Sequence, residues 1–307
     1  MLCYYQHQIE NLQPCVATVG IFDGVHVGHR YLIEQVKEIA KKNNQPSVVI
    51  TFKTHPRTII QKKFKPQLLT SLEEKLSLFE KLGVDIAIIL EFTADMAQLT
   101  AYDFLKLFLK EKINVQTLVV GHDHRFGHNR AESIVDYKQF GNRLNMKIIH
   151  SSRFTTVQDK QISSSEIRNA LQNGDIELAN RLLNYSFSIK GKVVGGYKVG
   201  RKIGFPTANI EPECIQKIIP NVGVYAVHVK IDNEIFKGML NIGYRPTIDN
   251  GKKISIEVHI IDFNKDVYNQ LIEIVFIKKI RDEQKFQGVE ELIAQLEKDK
   301  KNVIENF

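Results

Sequence analysis

The stretch CVATVGIFDGVHVGH, Cys15 to His29, decides the fold of the first half of the chain. Its first eight residues are almost entirely apolar or small, which predicts a buried strand ending at Phe22. Asp23 and Gly24 then supply turn residues, and a helix opens between His26 and His29. A buried strand, a short turn and a helix in this order form the first part of a βαβ crossover unit.

The same alternation continues as far as residue 151. Further buried strands are predicted at 47–52, 85–90, 117–121 and 146–151, and helices at 28–42, 72–82 and 101–110. Strands that alternate with helices indicate a parallel sheet covered by helices on both faces, a Rossmann-like α/β fold. In such sheets the ligand lies beyond the carboxyl ends of the strands, so the site is expected after Phe22, Phe52, Gly121 and Ser151.

The second half has a different pattern. Its predicted strands, SIKGKVV, GVYAVHVKI, IFKGMLNIG, KISIEVHIIDF and LIEIVFIKKI, are rich in β-branched residues and closely spaced. Turn signals between such strands favour an antiparallel all-β sandwich or barrel, and a final helix is predicted over 287–299. We therefore predict two domains, 1–184 and 185–307, as the length of 307 residues also suggests.

The composition favours an ordinary globular protein, with 43% apolar and 25% charged residues. The net charge of +7 is spread evenly, because 23 basic and 19 acidic residues precede residue 185 and 19 and 16 follow. A nucleic-acid-binding face would concentrate its charge, so we expect no nucleic-acid partner. Small anionic ligands would explain the positive excess, and a solvated surface without a binding role is the alternative.

The cysteines and the hydropathy of the chain indicate its cellular compartment. Cys3, Cys15 and Cys214 are far apart and odd in number, so they offer neither a disulfide framework nor a metal clip. No stretch is apolar enough for a membrane helix, and the N-terminus lacks the basic region of a signal peptide. We expect a cytoplasmic protein without a membrane partner.

Two histidines stand at the predicted start of the first helix. His26 and His29 are three residues apart, so both imidazoles lie on one side of the first turn. A helix N-terminus attracts phosphate, and the histidines could stabilise charge at phosphorus during nucleotidyl transfer. The alternative is that they only cap and solvate the helix. A metal site is less favoured, because no carboxylate or cysteine lies at ligand spacing.

The segment ISSSEIR predicts a second helix start, since Ser163 followed by Glu166 forms a capping box. Ser164 and Ser165 in the first turn could donate hydrogen bonds to a phosphate, and Arg168 could bind it bidentately. Capping alone would explain the serines equally well.

In the second half, the segment GYKVGRKIGFPTANI begins at Gly196. Three glycines permit close approach of the backbone to a ligand, Gly196, Gly200 and Gly204. Three basic residues favour an anion, Lys198, Arg201 and Lys202. Thr207 and Asn209 carry oxygens suited to Mg²⁺. A glycine-rich hairpin followed by a strand is the alternative interpretation.

The segment KISIEVHIIDF alternates between two faces. The apolar face is predicted to hold Ile254, Ile256, Val258 and Ile260, and the polar face Ser255, Glu257 and His259. Glu257 is either a solvated carboxylate or a general base beside a hydroxyl substrate.

Read together, GIFDGVHVGH and ISSSEIR resemble the nucleotidyltransferases with the HxGH signature, and more closely the FMN adenylyltransferase module of prokaryotic bifunctional riboflavin kinase/FAD synthetases. TFKTHPR and VGHDHRFG fall where that family has its TFxPHP and VGxDFxFG loops. The resemblance implies three catalytic residues, His26, His29 and Arg168, and a flavin-side loop of His55, Pro56 and Arg57. It implies that ATP is held by Gly20, Phe22, Asp23, His26, His29, Asp123, Ser164, Ser165 and Arg168.

Several positions depart from the family pattern. Thr54 replaces a proline, His124 replaces a phenylalanine, and residues 131–133 differ from the usual Gly-Asp. A riboflavin kinase with a weak or lost adenylyltransferase half is therefore an alternative. A metal site formed by His122, His124 and His128 is a second alternative at this loop.

The motifs GRKIGFPTANI, PNVGVYAV, GMLNIGYRPT, IEVHIIDF and IRDEQKF occur in the order of the riboflavin kinase module, which is a six-stranded antiparallel barrel. The resemblance implies Mg²⁺ bound with ATP, Thr207 and Asn209 as metal ligands, and Glu257 as the base. It places ATP and Mg²⁺ at Gly196, Lys202, Gly204, Thr207 and Asn209, and the flavin at Glu257, Arg281 and Phe286.

The resemblance thus predicts a bifunctional enzyme that uses ATP to phosphorylate riboflavin to FMN, and then to adenylylate FMN to FAD with release of pyrophosphate. The sequence leaves the oligomeric state open, and a monomer is the favoured expectation. FMN and FAD are substrates and products in this scheme, not prosthetic groups. An RNA-binding protein on an HxGH fold and a non-catalytic flavin-sensing module are alternatives of other classes.

Overall fold

A computed structural model describes residues 1–10, 12–61, 63–121, 127–128, 132–151, 162–196, 199–246 and 252–306. The chain divides into two compact units, Met1–Ser164 and Ser165–Phe307. The domain boundary after Asn184 stays a prediction. Of the predicted site residues, Asp123 lies outside the described part of the chain, together with His122 and His124.

The first unit is an α/β layer structure. Its strands are β1 (Leu2–Tyr5), β2 (Cys15–Val19), β3 (Ser47–Phe52), β4 (Ile86–Leu90), β5 (Val115–Val120) and β6 (Lys147–His150). Its helices are α1 (Val27–Asn43), α2 (Arg57–Ile60), α3 (Leu72–Lys81), α4 (Ala94–Gln98), α5 (Ala101–Phe104) and α6 (Ile134–Arg143). A short 3-10 turn, Gln6–Gln8, follows β1, and a π-helical segment, Leu105–Lys112, continues α5.

All strand pairs of this sheet are parallel, in the order β1-β4-β3-β2-β5-β6. The predicted Rossmann-like sheet is confirmed, and β2 and β3 occupy its centre. Alternate residues of β2 enter two apolar clusters on opposite faces of the sheet, with Ala17 in one and Val16 in the other. The carboxyl ends of β2 and β3 therefore meet at one edge, just before the histidine turn and the TFKTHPR loop.

The second unit opens with α7 (Ser164–Gln172), whose first residue belongs to the first unit, and α8 (Ile176–Leu183). Its strands are β7 (Ser188–Val194), β8 (Ala208–Pro212), β9 (Gly223–Ile231), β10 (Glu234–Pro246), β11 (Lys252–Ile260) and β12 (Leu271–Arg281). A short helix, α9 (Val199–Lys202), precedes β8, and α10 (Val289–Asn306) is the last helix.

These six strands close into an antiparallel barrel in the order β10-β11-β8-β7-β12-β9, with β9 also paired to β10. The predicted barrel and terminal helix are confirmed. The barrel interior is lined by alternate residues such as Ile189, Val227, Val258 and Ile274, all nearly inaccessible to solvent.

Several local expectations differ from the structure. β1 was not predicted; it is a short apolar run of four residues, half of which are exposed at the sheet edge. Ile254 continues the apolar alternation of β11 but is 43% exposed, whereas His259, expected on the polar face, is buried. The helix predicted over 101–110 is α-helical only to Phe104 and then π-helical.

Two further properties concern the surface. Throughout the described ranges, every helix is too short or too polar to cross a membrane. Cys15 is buried in β2, where burial raises the pKa of its thiol to about 12, while Cys3 is exposed and Cys214 partly exposed.

Candidate active sites

The turn after β2 is tightly constrained. Phe22 and Val25 have positive φ angles of 51° and 38°, which side-chain-bearing residues rarely adopt. The buried carboxylate of Asp23 holds this geometry by accepting hydrogen bonds from the backbone N–H groups of Leu69 (2.9 Å) and Thr70 (3.1 Å). The Thr70 hydroxyl in turn accepts the N–H of Gly24. The loop before α3 thus shapes the turn, a contact that spans 46 positions.

The two histidines of this turn lie face to face. Their ring centroids are 3.7 Å apart at 19°, and His26 caps α1 by accepting the N–H of His29 through Nδ1. A Cβ on Gly28 would lie 3.3 Å from the His26 ring, so this glycine gives the ring room. The prediction that both imidazoles lie on one side of the first turn is confirmed, and capping is part of the function of His26.

Two more predicted residues support the turn from within. Phe22 is buried, and its ring packs edge-to-face with the His29 ring, with the ring centroids 5.2 Å apart. A Cβ on Gly20 would lie 3.1 Å from the Phe22 ring, so a larger residue there would displace it. Ser164 joins the group from far along the chain, because its hydroxyl donates to the carbonyl of Asp23 at 2.9 Å. Gly20, Phe22, Asp23, both histidines and Ser164 are therefore assembled around one turn.

Ser165 and Arg168 follow Ser164 on α7 but belong to the second compact unit. Their roles stay predictions, as does that of Asp123.

The TFKTHPR loop forms a separate cluster after β3. His55 accepts the N–H of Arg57 through Nδ1 and lies 5.4 Å from the Phe64 ring. The Arg57 guanidinium lies 5.3 Å from the same ring, a cation–π distance. Pro56 is buried and caps α2, while Arg57 is exposed. The loop thus presents a cation on an aromatic platform, to which Phe64 was not predicted to contribute.

In the barrel, the PTAN segment lies against the polar face of β11. Asn209 pairs directly across from Glu257, and the Thr207 hydroxyl lies 3.4 Å from a Glu257 carboxylate oxygen. The structure thus brings together the three oxygen-bearing residues that the sequence singled out. Their hydroxyl, amide and carboxylate oxygens are the donors that Mg²⁺ prefers, so this set fits the ion chemically. Among the described residues, no group of three or more His, Cys, Asp or Glu side chains is placed to hold a metal ion.

A cavity of about 570 Å³ opens beside Thr207. It is lined by one arginine and by the loop after β11, which contributes Phe263, Asn264, Lys265, Asp266, Val267 and Tyr268. This size suits a nucleotide-sized ligand. Arg201 is one of the basic residues that the sequence favoured for anion binding. The loop after β11 was not predicted as part of a site, although DFNKDVYNQ is a polar, turn-rich segment.

The other predicted residues of the glycine-rich segment, Gly196, Gly204 and Lys202, lie in different surroundings. A Cβ on Gly196 would collide with the Asn209 amide, so this glycine permits the observed packing. Gly204 has φ +84°, and Lys202 is an exposed residue at the end of α9. The alternative of a simple hairpin is only partly right, because α9 interrupts the connection between the paired strands β7 and β8.

His259 anchors the PTAN segment from β11. Its Nδ1 lies 2.9 Å from the carbonyl oxygen of Pro206, and its ring packs 5.2 Å from Phe205. Because a carbonyl only accepts, Nδ1 carries the proton. Burial lowers the pKa of His259, and the nearby Lys300 lowers it further, against the opposing effect of the Pro206 hydrogen bond.

The two predicted flavin residues at the end of β12 also lie together. The Arg281 guanidinium is 5.8 Å from the Phe286 ring, and its Nε donates to Asp299 of α10 at 2.9 Å. Asp299 is only 2% exposed and accepts a second hydrogen bond from Gln295. Arg281 is thus held by the terminal helix, a contact that the sequence did not predict.

Comparison with known proteins gives two adjacent family matches. The family model described as FAD synthetase matches residues 8–166, and the one described as riboflavin kinase matches residues 183–307. Bifunctional riboflavin kinase/FMN adenylyltransferases from Bacillus subtilis and Escherichia coli are 40% and 38% identical to this chain. The alignments cover 97% and 96% of this chain and 94% and 93% of those proteins.

A solved structure described as a macrolide-efflux protein from Streptococcus pneumoniae has a TM-score of 0.91 at 29% identity, covering 99% of both chains.

Proposed function

Because the chain belongs to the bifunctional riboflavin kinase/FMN adenylyltransferase family, we propose that each of its two sites carries one of the two activities. The chain phosphorylates riboflavin to FMN and adenylylates FMN to FAD. The histidine turn after β2 would perform the adenylyl transfer, and the PTAN–Glu257 site of the barrel would perform the phosphorylation. The observation that carries this assignment is the placement of Thr207 and Asn209 against Glu257 beside a nucleotide-sized cavity.

In the barrel, Glu257 would accept the proton of the riboflavin 5′-hydroxyl as that oxygen attacks the γ-phosphorus of ATP. The bond from the γ-phosphorus to the bridging oxygen breaks, and ADP leaves. Thr207 and Asn209 would hold Mg²⁺ with the nucleotide, and the bound ion would offset the charge of the phosphates. Arg281 and Phe286 would lie on the flavin side, and Gly196, Lys202 and Gly204 would bind ATP together with Arg201.

At the histidine turn, a phosphate oxygen of FMN would attack the α-phosphorus of ATP, and pyrophosphate would leave. The nucleophile is already an anion, so no strong base is needed. His26 and His29 would donate hydrogen bonds to the charge that develops at phosphorus, as would the free N–H groups at the start of α1. Ser165, Arg168 and Asp123 would complete the ATP contacts, and His55, Pro56 and Arg57 would face the flavin.

We also propose that the domain boundary lies after Asn184, that the protein is cytoplasmic and that it is a monomer. The even charge distribution supports small anionic ligands over nucleic acid. The kinase-only and RNA-binding alternatives are not favoured, since family matches cover both halves of the chain.

Product analysis after incubation with riboflavin and Mg-ATP tests the assignment of each site. Wild type should give FMN and then FAD. His29→Ala should still form FMN but reduce FAD formation by about 100-fold or more, the scale for loss of a donor to transition-state charge. His7→Ala, at an exposed histidine, is the matched control.

Glu257→Gln should reduce riboflavin phosphorylation by about 100-fold to 10,000-fold while FMN adenylylation is retained. Glu211→Gln, an exposed carboxylate on β8, should leave both activities unchanged. Intact phosphorylation by Glu257→Gln, or intact adenylylation by His29→Ala, would refute the assignment of that site.

A further inference from the structure

A buried lysine lies beneath the histidine turn and has no part in the chemistry assigned above. Lys75 belongs to α3 and is 6% exposed. Its ammonium donates to the carbonyl of Ile21 at 2.9 Å and to the hydroxyl of Thr51 at 3.0 Å. The Thr51 hydroxyl donates to the same Ile21 carbonyl at 3.2 Å, so the ammonium, the hydroxyl and the carbonyl are all hydrogen-bonded to one another.

Packing alone does not account for a lysine at this position. The same face of α3 buries Phe79 in an apolar cluster, with Leu76 packed against it. Burial of the ammonium lowers the pKa of Lys75 to about 8, against the opposing effect of the Asp23 carboxylate. An ammonium in an apolar core is costly unless it is well hydrogen-bonded, so an apolar residue would fill the space at less cost.

The two groups that Lys75 binds are the starting points of the two ligand loops. Ile21 directly precedes the constrained turn at Phe22 that leads to His26, and Thr51 stands four residues before His55. One ammonium therefore joins Ile21, just beyond the end of β2, to Thr51 near the end of β3, where the two loops leave the sheet.

The loop before α3 and a later residue of the helix contact the same turn. The loop before the helix holds Asp23 and Gly24 through Leu69 and Thr70. One helical turn after Lys75, Phe79 contacts the edge of the Phe22 ring at 5.7 Å. The helix is therefore fastened to the turn on both sides of the lysine, and the lysine is the point that extends this contact to β3.

We propose that Lys75 is a positioning residue for adenylyl transfer: it holds the histidine turn and the His55–Arg57 loop at the spacing that the reaction between FMN and ATP requires. This inference rests on the proposed function of the histidine turn. The ammonium touches neither substrate in this scheme. It acts by keeping the FMN phosphate in line with the α-phosphorus.

Lys75→Met tests the proposal, because methionine keeps most of the side-chain volume and removes the ammonium. Misplacement of reacting groups by about 1 Å costs about 100-fold in rate, so the kcat of FMN adenylylation should fall by about 10-fold to 100-fold. The KM for ATP should change less than about threefold, since the histidine turn itself is retained. Lys81→Met, an exposed position on the same helix, should behave as wild type.

Riboflavin phosphorylation by the barrel serves as the internal control and should be unchanged in every variant. Thr51→Val removes only the shared hydroxyl, so it should lower the same kcat by a smaller factor. If both positions act through one network, combining Thr51→Val with Lys75→Met should add little further loss.

Adenylylation by Lys75→Met within about twofold of Lys81→Met would overturn the proposal, as would a loss confined to the KM for ATP. If Lys75→Met does not fold, Thr51→Val decides, and wild-type kcat in that variant overturns the proposal. A wild-type chain that makes FMN but no FAD would instead refute the proposed function of the turn.

Discussion

Replacing Arg281 by methionine should destabilise the barrel far more than altering its partner. Asp299 is 2% exposed, and without Arg281 its carboxylate would keep only the Gln295 hydrogen bond among the contacts described. Removing one member of a buried ion pair costs about 3–5 kcal/mol. Asp299→Asn should cost only about 1–2 kcal/mol, because Arg281 is 18% exposed and still donates to the Asp282 carbonyl.

The double variant Arg281→Met/Asp299→Leu should recover most of the lost stability, since replacing both members of a buried pair by apolar residues is often neutral. Lys301→Met breaks an exposed ion pair with Glu305 on the same helix, and should change the stability by less than about 1 kcal/mol.

Hydrogen exchange of peptides from β9 measures the opening free energy of the barrel without requiring a single two-state transition. Equal costs for Arg281→Met and Asp299→Asn would refute the reasoning, as would a cost below about 1 kcal/mol for Arg281→Met.

Two further predictions concern the barrel. Gly196→Ala should lower riboflavin phosphorylation by about 10-fold or more, because the added Cβ displaces the Asn209 amide. Gly195→Ala is the control and should be neutral, since no described atom lies within 4 Å of its added Cβ. Steady-state kinetics of both variants checks this prediction. The lowered pKa of His259 means that the unfolded chain binds a proton more readily below pH 6.5. Barrel stability should therefore be complete above pH 6.5 and fall by at most about 1.4 kcal/mol per pH unit below it, a slope that His259→Gln should reduce in hydrogen exchange measured from pH 7 to 5.

Secondary structure was predictable where the pattern of apolar residues is local. The runs at 47–52, 188–194 and 223–231 became strands with the predicted bounds, because continuous or alternating apolar residues require burial on known faces. The exceptions are positions where packing against other parts of the chain determines burial or helix type. Ile254 has the correct alternation but is exposed, and the winding of residues 105–112 cannot be distinguished as α or π from apolar spacing alone.

The two sites were predictable as motifs but not as networks. His26 and His29 are neighbours on one helical turn, so their stacking follows from spacing. The clamp on Asp23 comes from residues 46 and 47 positions away, and the network of Lys75 from residues 54 and 24 positions away. Side-chain contacts at such separations depend on how the strands and helices pack, which no local pattern reports.

The barrel shows the same division. The sequence singled out Thr207, Asn209 and Glu257, but only the register of β8 against β11 places Asn209 opposite the carboxylate. Likewise, the packing of α10 decides that Asp299 meets Arg281.

The three thiols equip the chain for fluorescence and mass-labelling experiments without any substitution. Cys3 is exposed in the first unit and Cys214 is partly exposed in the second, so each unit carries one thiol that a maleimide reagent could label. Cys15 is the first residue of the central strand β2, where burial disfavours its reactive thiolate. A third label, detected as added mass after a short pulse, would therefore mark those molecules in which the sheet has opened.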